Sequence, residues 1–416
     1  MYHKINMKFS LNLQIFAGAA IGVAVGIFLN IYGPNFAGTS TVLYWCDILG
    51  AVFINLLKMI LIPLVFTSIA VGIANLRAHA KMDQVWKTTF IFFIFTTALS
   101  VTLALITVNV FKPGVGMQVD LFKDAMTSFN AQEMTLAQFL KTFVANLFKN
   151  PIAAMANTDV LPTVMFAIFF GIGMVVSGEK SRTIQNFLNE FFTIIMLMVG
   201  WIMRVAPLGI MALIVKLVAT QKMELFVNLG KFVTVVLGTT LFHGIIVLPF
   251  ILWLVTRITP WAFFKAMRDA LLTAFSTSSS SATMPVTLRC VEENLKVDKN
   301  IAGFVVPLGT TVNMDGTAIY EATAAIFVAN LVGIKLNLVQ QLVVFFTSMI
   351  AAIGAPGIPS AGMITMIMVL QSVGLPIEAI AILIPIDRPL DAIRTMVNVE
   401  GDAIGSCIVQ KLTSRR

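Results

Sequence analysis

Apolar runs long enough to cross a bilayer recur from one end of the chain to the other, and nothing constrains its fold more strongly. A helix needs about 20 mostly apolar residues to span the hydrocarbon core. Six such runs can be placed, approximately over 11–32, 44–74, 86–111, 157–177, 187–216 and 225–256. Of the 416 residues, 58% are hydrophobic and only 12% charged, roughly half the charged share of a soluble domain. Inside lipid every backbone polar group must be satisfied internally. The sequence therefore predicts an all-α polytopic membrane protein held in a lipid bilayer.

The formal net charge is +8. In a soluble chain that would raise nucleic acid as a partner. Here the basic residues fall in short loops and read as orientation signals, so no nucleic acid is expected. Lys4 and Lys8 precede the first run; Arg77, Lys81 and Lys87 follow the second, Lys180 and Arg182 the fourth, and Arg257, Lys265 and Arg268 the sixth. Counted alternately these share one side with the terminal Lys411, Arg415 and Arg416, which places both termini in the cytoplasm. Segment 113–156, mixed and moderately polar, is expected to connect spans on the outside. Cys46, Cys290 and Cys407 have no metal-ligand spacing and supply no disulfide framework. Residues 11–30 follow a basic start without a small-residue cleavage site, and read as a retained first span.

Beyond residue 256 the pattern changes. "LLTAFSTSSSSATMPVTL" (271–288) runs apolar, hydroxyl-rich, then apolar again, and "MIAAIGAPGIPSAGMITMIMVL" (349–370) repeats the plan with Gly and Pro. Each half is too short to cross a membrane alone. Irregular backbone at membrane depth persists only where protein or a cavity surrounds it. Both segments predict re-entrant helical hairpins, with tips at 278–281 and 355–360. Each is followed by a span expected to carry a polar break, "VNMDGT" after the first and "DRPLDAIRTMVNVEGD" (387–402) after the second. One hairpin enters from each side, which makes an inverted repeat. Paired interrupted segments point to a transport site near the bilayer midplane.

These spans also concentrate charge: Asp315, Glu321, Asp387, Arg388, Asp391, Arg394, Glu400 and Asp402, with Asn313 and Asn398. An ionised group at the bilayer centre costs several kcal/mol. An internal ion-pair network would neutralise Arg388 and Arg394 with two carboxylates and leave the others unexplained. Glu400 is expected to reach water near the end of its span. Ions from solution are the natural partners for the rest. Asp391, Arg394 and Asn398 are spaced i, i+3 and i+7 and share a helix face. Arg394 can fork onto a carboxylate, and Asp391, a turn away, can hold an ammonium group. Asn313 and Asp315 flank a glycine-containing break whose freed carbonyls suit a hard cation. Glu321 lies deeper in the apolar half, where a carboxyl is cheaper to keep neutral. Blander readings fit elsewhere: His243, alone in its span, bonds a neighbour, Lys58 and Arg204 snorkel, and the 23 methionines are adaptable packing.

In these residues the chain resembles the sodium-coupled glutamate/aspartate transporter family, which includes the excitatory amino acid transporters. The stretches that carry the resemblance are "LKMILIPLVFTSIAVGIANL" (57–76), "STSSSSATMPVT" (276–287), "PLGTTVNMDGTAIYE" (307–321), "AAIGAPGIPSAGM" (351–363) and "DRPLDAIRTMVNVEGD" (387–402). The order of elements extends it over essentially the whole chain. The resemblance implies eight transmembrane helices plus the two hairpins, a homotrimer and an elevator motion. Residues 1–74 and 116–220 would form a static scaffold. Residues 75–115 and 221–416 would carry the cargo across. The inner (plasma) membrane is the implied location, and a bacterial origin is implied where the long termini and large external insertion of animal members are lacking.

Site roles carry over by position. Ser279 and Ser280 would meet the substrate α-carboxylate, Thr317 and Arg394 the side-chain carboxylate, and Asp391 the amino group, with Asn398 assisting and Thr395 alongside. Ile358 and Gly362 lie where the second hairpin closes. One sodium site would use Asp402 with oxygens of Gly309, Asn313 and Asn398; a second Asp315, Asn313, Thr96 and Thr97, with the Phe93 carbonyl where many members have Tyr. A third would use carbonyls of Thr311, Ala352, Ile353 and Ala355. The tip reads "TSSSSA" where archaeal relatives have Arg, and Glu321 stands where they have Gln. Both features are similar to the excitatory branch, in which that Glu carries the proton. Its last-span Arg falls at Ala392 here, and Arg388 lies one turn earlier. Glu321 with Arg388 is therefore the expected proton and potassium coupling pair, with sodium co-transported and potassium counter-transported. Asp402 argues against the dicarboxylate and proton-only branches, where Asn is typical. Sodium-coupled carriage of neutral amino acids or C4-dicarboxylates stays open as the alternative. An ion channel is disfavoured by paired dead-end hairpins. A membrane enzyme is disfavoured because the sequence lacks a His–Glu metal motif and the serine-rich tip lacks a His partner.

Overall fold

Long apolar stretches fold as helices because the helix satisfies its own backbone. The computed structural model describes residues 11–33, 36, 38–74, 83–116, 141, 144–145, 147–221, 223–355, 357 and 359–414. The expectations for Lys4, Lys8, Arg77, Lys81, Arg415, Arg416, Ile358 and most of the external connection fall outside them. The described residues begin with α1 (Leu11–Tyr32), α2 (Thr39–Ala74) and α3 (Asp83–Phe111). A short α4 (Pro151–Ala156) leads to α5 (Val160–Ser177) and α6 (Arg182–Thr220). Then α7 (Met223–Phe242) passes through a π-helical turn, His243–Val247, into α8 (Leu248–Thr256). Among the described residues, five apolar helical runs are long enough to cross a membrane: Leu13–Tyr32, Thr39–Ala74, Gln84–Phe111, Pro162–Thr220 and Glu224–Thr256. The fourth, of 59 residues, is divided by a turn at Gly178–Ser181, so it holds the fourth and fifth expected spans.

The helices sort into two sets by what they pack against. α1 and α2 lie against α6, and α5 lies against α2. Gly18, Gly22 and Gly26 line α1 at a spacing of four, and a Cβ on Gly18 would stand 2.6 Å from the Pro207 carbonyl oxygen of α6. Such small-residue stripes let backbones approach where lipid gives no hydrophobic drive. The second set surrounds α12 and α15.

That set contains two helix–turn–helix units. α9 (Pro260–Thr277) turns at Ser278, in left-handed backbone, onto α10 (Ser280–Arg289). α13 (Leu338–Gly354) and α14 (Ala361–Ser372) flank the second turn. At 1.5 Å per residue the ten-residue α10 reaches only about 15 Å. Each unit is followed by one more span. α11 (Lys299–Val312) gives way at Asn313 and Met314 to α12 (Asp315–Leu331). α15 (Ile380–Thr413) closes the chain.

The second polar break is not found: α15 is continuous through Pro385 and Pro389. Three of its charged residues pair with one another along the helix. Arg394 Nη2 donates to Asp387 Oδ1 at 2.6 Å and to Asp391 Oδ1 at 2.9 Å. Glu400 does not reach water either; it is 3% exposed, because α15 runs through the middle of its set.

Candidate functional site

The break between α11 and α12 builds the first half of the site. Pro307 within α11 brings no donor, and the Asn313 N–H closes the helix on the Gly309 carbonyl at 2.9 Å. One free donor in the first turn of α12 is met from α15: Gly316 N–H donates to Asn398 Oδ1 at 2.9 Å. Asn398 Nδ2 in turn donates to Thr317 Oγ1 at 3.2 Å. One side chain thus caps the broken helix and fixes a hydroxyl beside it.

Carboxylates collect at this break. Asn313 Nδ2 donates to Asp402 Oδ1 at 3.0 Å, while Asp402 Oδ2 meets no partner among the described residues. Gly309 sits so close that any Cβ there would overlap the Asp402 carboxylate. Thr96 Oγ1 donates to Phe93 O at 3.2 Å and lies 3.4 Å from Asn313 Oδ1. Thr97 Oγ1 donates to Asp315 Oδ1 at 2.8 Å. Phe93, Thr96, Thr97, Gly309, Asn313, Asp315, Asn398 and Asp402 are therefore gathered from α3, α11, α12 and α15. Thr311, Ile353 and Ala355 line one cavity of about 130 Å³ between the two sets of helices, and Ala352 is buried on the same turn of α13.

The neighbour that His243 bonds is one of these residues. Its Nε2 lies 3.0 Å from Asp315 Oδ2. Spacing could not reveal this, since 72 residues separate the two. The π-helical turn at His243 is a partial signal; such turns gather at functional sites.

The second half lies at the hairpin tips. Ser279 caps α10, accepting from Ala282 N–H at 3.1 Å, and donates its hydroxyl hydrogen to Gly357 O at 2.6 Å. Ser281 N–H reaches the same carbonyl at 3.0 Å. The tips are closed on each other, so the Ser279 hydrogen is taken. Ser280 is buried in the first turn of α10. Asp391 Oδ2 accepts the Ser360 N–H at 2.8 Å. Gly362 lies over the remaining pair: a Cβ there would stand 3.1 Å from Thr317 Cγ2 and 3.3 Å from Arg394 Nη1.

Arg394 is 1% exposed. Tyr320 lies beneath it, with Cζ 3.9 Å from the ring centroid, a cation–π contact. Its Nε and Nη1 remain without partners among the described residues. Arg388 Nη1 stands 4.0 Å from Asp391 Oδ2. Thr395 is buried next to Arg394 on α15. Tyr320 was not foreseen as a site residue, since an aromatic ring in an apolar run carries no sequence signal, and Asp387, counted in the charged cluster, is given its partner only by the structure. Deeper in α12, Glu321 Oε1 accepts from the Thr365 hydroxyl, and Oε2 has no partner among the described residues. The structure does not pair Glu321 with Arg388, whose one near carboxylate among the ion pairs is Asp391.

Buried carboxylates beside a broken helix, with an incompletely matched arginine under two closed tips, suit a cation-coupled membrane carrier. The chain belongs to the sodium:dicarboxylate symporter family, whose model matches residues 11–412. It is 34% identical to excitatory amino acid transporter 3 of Oryctolagus cuniculus, over 98% of this chain and 87% of that protein. It is 33% identical to a putative sodium-dependent excitatory amino acid transporter of Caenorhabditis elegans, over 96% and 89%. With excitatory amino acid transporter 1 of Ambystoma tigrinum it shares 34%, over 94% and 82%. The chain is a sodium-coupled membrane transporter and not an enzyme.

Proposed function

We propose that the chain imports glutamate and aspartate with sodium and a proton, and returns empty with potassium. The observation that carries the reading is Arg394, buried with Nε and Nη1 unmatched, beside Thr317 and a turn from Asp391. Arg394 and Thr317 take the substrate's side-chain carboxylate, Asp391 with Asn398 its ammonium, and Ser279, Ser280 and the start of α10 its α-carboxylate. Ile358, Gly362 and Thr395 complete the enclosure. Asp391 now accepts from Ser360 and Arg394, two donors that an ammonium group would replace in kind.

Sodium, as cargo, is held at Asp402 with Gly309, Asn313 and Asn398, at Asp315 with Phe93, Thr96, Thr97 and Asn313, and at the carbonyls of Thr311, Ala352, Ile353 and Ala355. Glu321 carries the proton. In the membrane, eight spans and two re-entrant hairpins divide into a scaffold of α1, α2, α5 and α6 and a mobile part of α3 and α7 to α15. The packing of the two sets supports that division. Three copies assemble, with both termini cytoplasmic, and the mobile part moves as an elevator.

Labelled aspartate and glutamate uptake into proteoliposomes, with each internal and external ion varied in turn, tests the reading. Uptake should stop when choline replaces external sodium; uptake that continues unchanged defeats sodium coupling. The family description makes C4-dicarboxylates the second reading. Asp391 separates the two, because a C4-dicarboxylate has no ammonium for it. Succinate competing as well as aspartate would decide for that reading.

A further inference from the structure

Arg388 is a buried cation to which the reading above gives no part. It is 5% exposed, and its Nε and Nη1 have no hydrogen-bond partner among the described residues. It stands three residues before Asp391 on the same face of α15, and its Nη1 lies 4.0 Å from Asp391 Oδ2. The other oxygen of Asp391 is engaged elsewhere, since Oδ1 accepts from Arg394 Nη2 at 2.9 Å. Oδ2 accepts the Ser360 N–H of the second hairpin turn at 2.8 Å. An ammonium that replaces this N–H would sit on Oδ2, the oxygen that Arg388 faces.

The surroundings leave Arg388 little retreat. With Asp387 it lines a cavity of about 30 Å³, walled by Phe53, Leu57 and Ile60 of α2 and by Ile202 and Met203 of α6. That space is too small to give a displaced guanidinium a hydration shell, and the wall facing it is apolar. Repulsion between Arg388 and an arriving ammonium is therefore poorly screened. Charge balance points the same way. Asp387, Arg388, Asp391 and Arg394 carry two charges of each sign, so the empty cluster is neutral without an ammonium. Without Arg388 it would hold one negative charge in excess, which an ammonium would neutralise.

We propose that Arg388 is a specificity-determining residue, a built-in counter-cation for Asp391 that competes with the ammonium of the substrate. It balances Asp391 in the empty carrier and opposes the ammonium of an amino acid. It thereby narrows the advantage of amino acids over dicarboxylates that have no ammonium. The inference rests on the reading that Asp391 takes the substrate ammonium.

The test is equilibrium binding of labelled aspartate to the purified full-length protein in lipid nanodiscs and saturating sodium, with succinate as competitor. Arg388→Gln removes the charge and keeps a polar side chain. Its aspartate affinity should rise at least about tenfold, as two like charges a few ångströms apart in a poorly screened site demand. Succinate, which has no ammonium, should bind no more tightly than to wild type. Arg388→Lys keeps a cation and should show a smaller gain than Arg388→Gln. The unfolding temperature of Arg388→Gln in choline should hold, because Asp391 keeps Arg394. Arg388→Met, apolar and of similar reach, should show the same gain for aspartate and guards against a folding defect of the first variant. Aspartate affinity no higher than about twofold above wild type in both Arg388→Gln and Arg388→Met, or a gain that succinate shares equally, overturns the counter-cation. Aspartate affinity kept at the wild-type level in Asp391→Asn overturns the ammonium reading instead.

Discussion

Arg394→Cys is the sharpest perturbation of the substrate pocket. The guanidinium is 1% exposed, so solvent and salt screen it little. It lies 2.6 Å from one carboxylate and 2.9 Å from another. Unit charges 4 Å apart at an effective dielectric of about 20 interact by about 4 kcal/mol, and removing one partner of a buried pair costs about 3–5 kcal/mol. A substrate carboxylate on Nε and Nη1 would lose a similar amount, roughly a hundredfold to several-thousandfold in affinity. Transport of glutamate and aspartate should disappear, and Ser, Ala or Cys should be admitted. The substitution also strands Asp387 and Asp391 beside each other, so stability must be read separately. Adding Asp387→Asn should restore much of the lost unfolding temperature and none of the affinity for aspartate. The assay is sodium-driven uptake and equilibrium binding in proteoliposomes, alongside thermal unfolding in sodium and in choline. Micromolar aspartate affinity retained in Arg394→Cys would refute the assignment.

Asp402→Asn should weaken sodium-dependent binding far more than folding; an unfolding temperature that drops while sodium affinity holds contradicts this. Gly362→Ala should lower acidic-substrate affinity tenfold or more through its approach to Thr317 and Arg394, since alanine itself favours a helix by about 1 kcal/mol. Equal substrate affinities for Gly362→Ala and wild type would show that the pocket lies elsewhere. Glu321 is buried with one oxygen unmatched, so substrate is expected to bind its neutral form. Raising the pH ionises it, and wild-type affinity should fall as pH rises. In Glu321→Gln that slope should vanish, with exchange kept and net uptake impaired; a slope like the wild type's would place the proton elsewhere.

The two helix–turn–helix units and the break at Asn313 were legible because local chemistry writes them: hydroxyl, Gly and Pro runs between apolar arms. The break expected at residues 387–402 failed on the same ground. Polar residues suggest unwinding, yet Asp387 and Asp391 meet Arg394 and Arg388 at helical spacing, and the helix continues. Arg394, Asp391 and Asn398 were found together because they share one face of one helix. Glu400 was misjudged, and the neighbour that His243 bonds could not be named, because their surroundings come from other helices. His243 reaches Asp315 across 72 residues. Glu400 is buried by a turn whose extra residue leaves no mark in the hydrophobic period. Tyr320 shows the same limit: the ring under Arg394 reads as one more apolar residue in a buried helix.

Ser279 and Ser281 both donate to a single acceptor, the Gly357 carbonyl, and this has a kinetic reading. If the tips must part before substrate enters, two hydrogen bonds break onto one atom, each worth about 0.5–1.5 kcal/mol net. The open form then carries a deficit of about 1–3 kcal/mol, a population lower by roughly fivefold to 150-fold. Apparent affinity falls by the same fraction, because only the open form can load. A carrier latched in this way trades tightness for punctuality. It gives up some capture at low substrate in return for a door that stays shut between cargoes, which limits ion slippage. Ser279→Ala would loosen the latch on one side only, and the position of that one hydroxyl hydrogen governs how long an empty carrier waits before it listens for substrate.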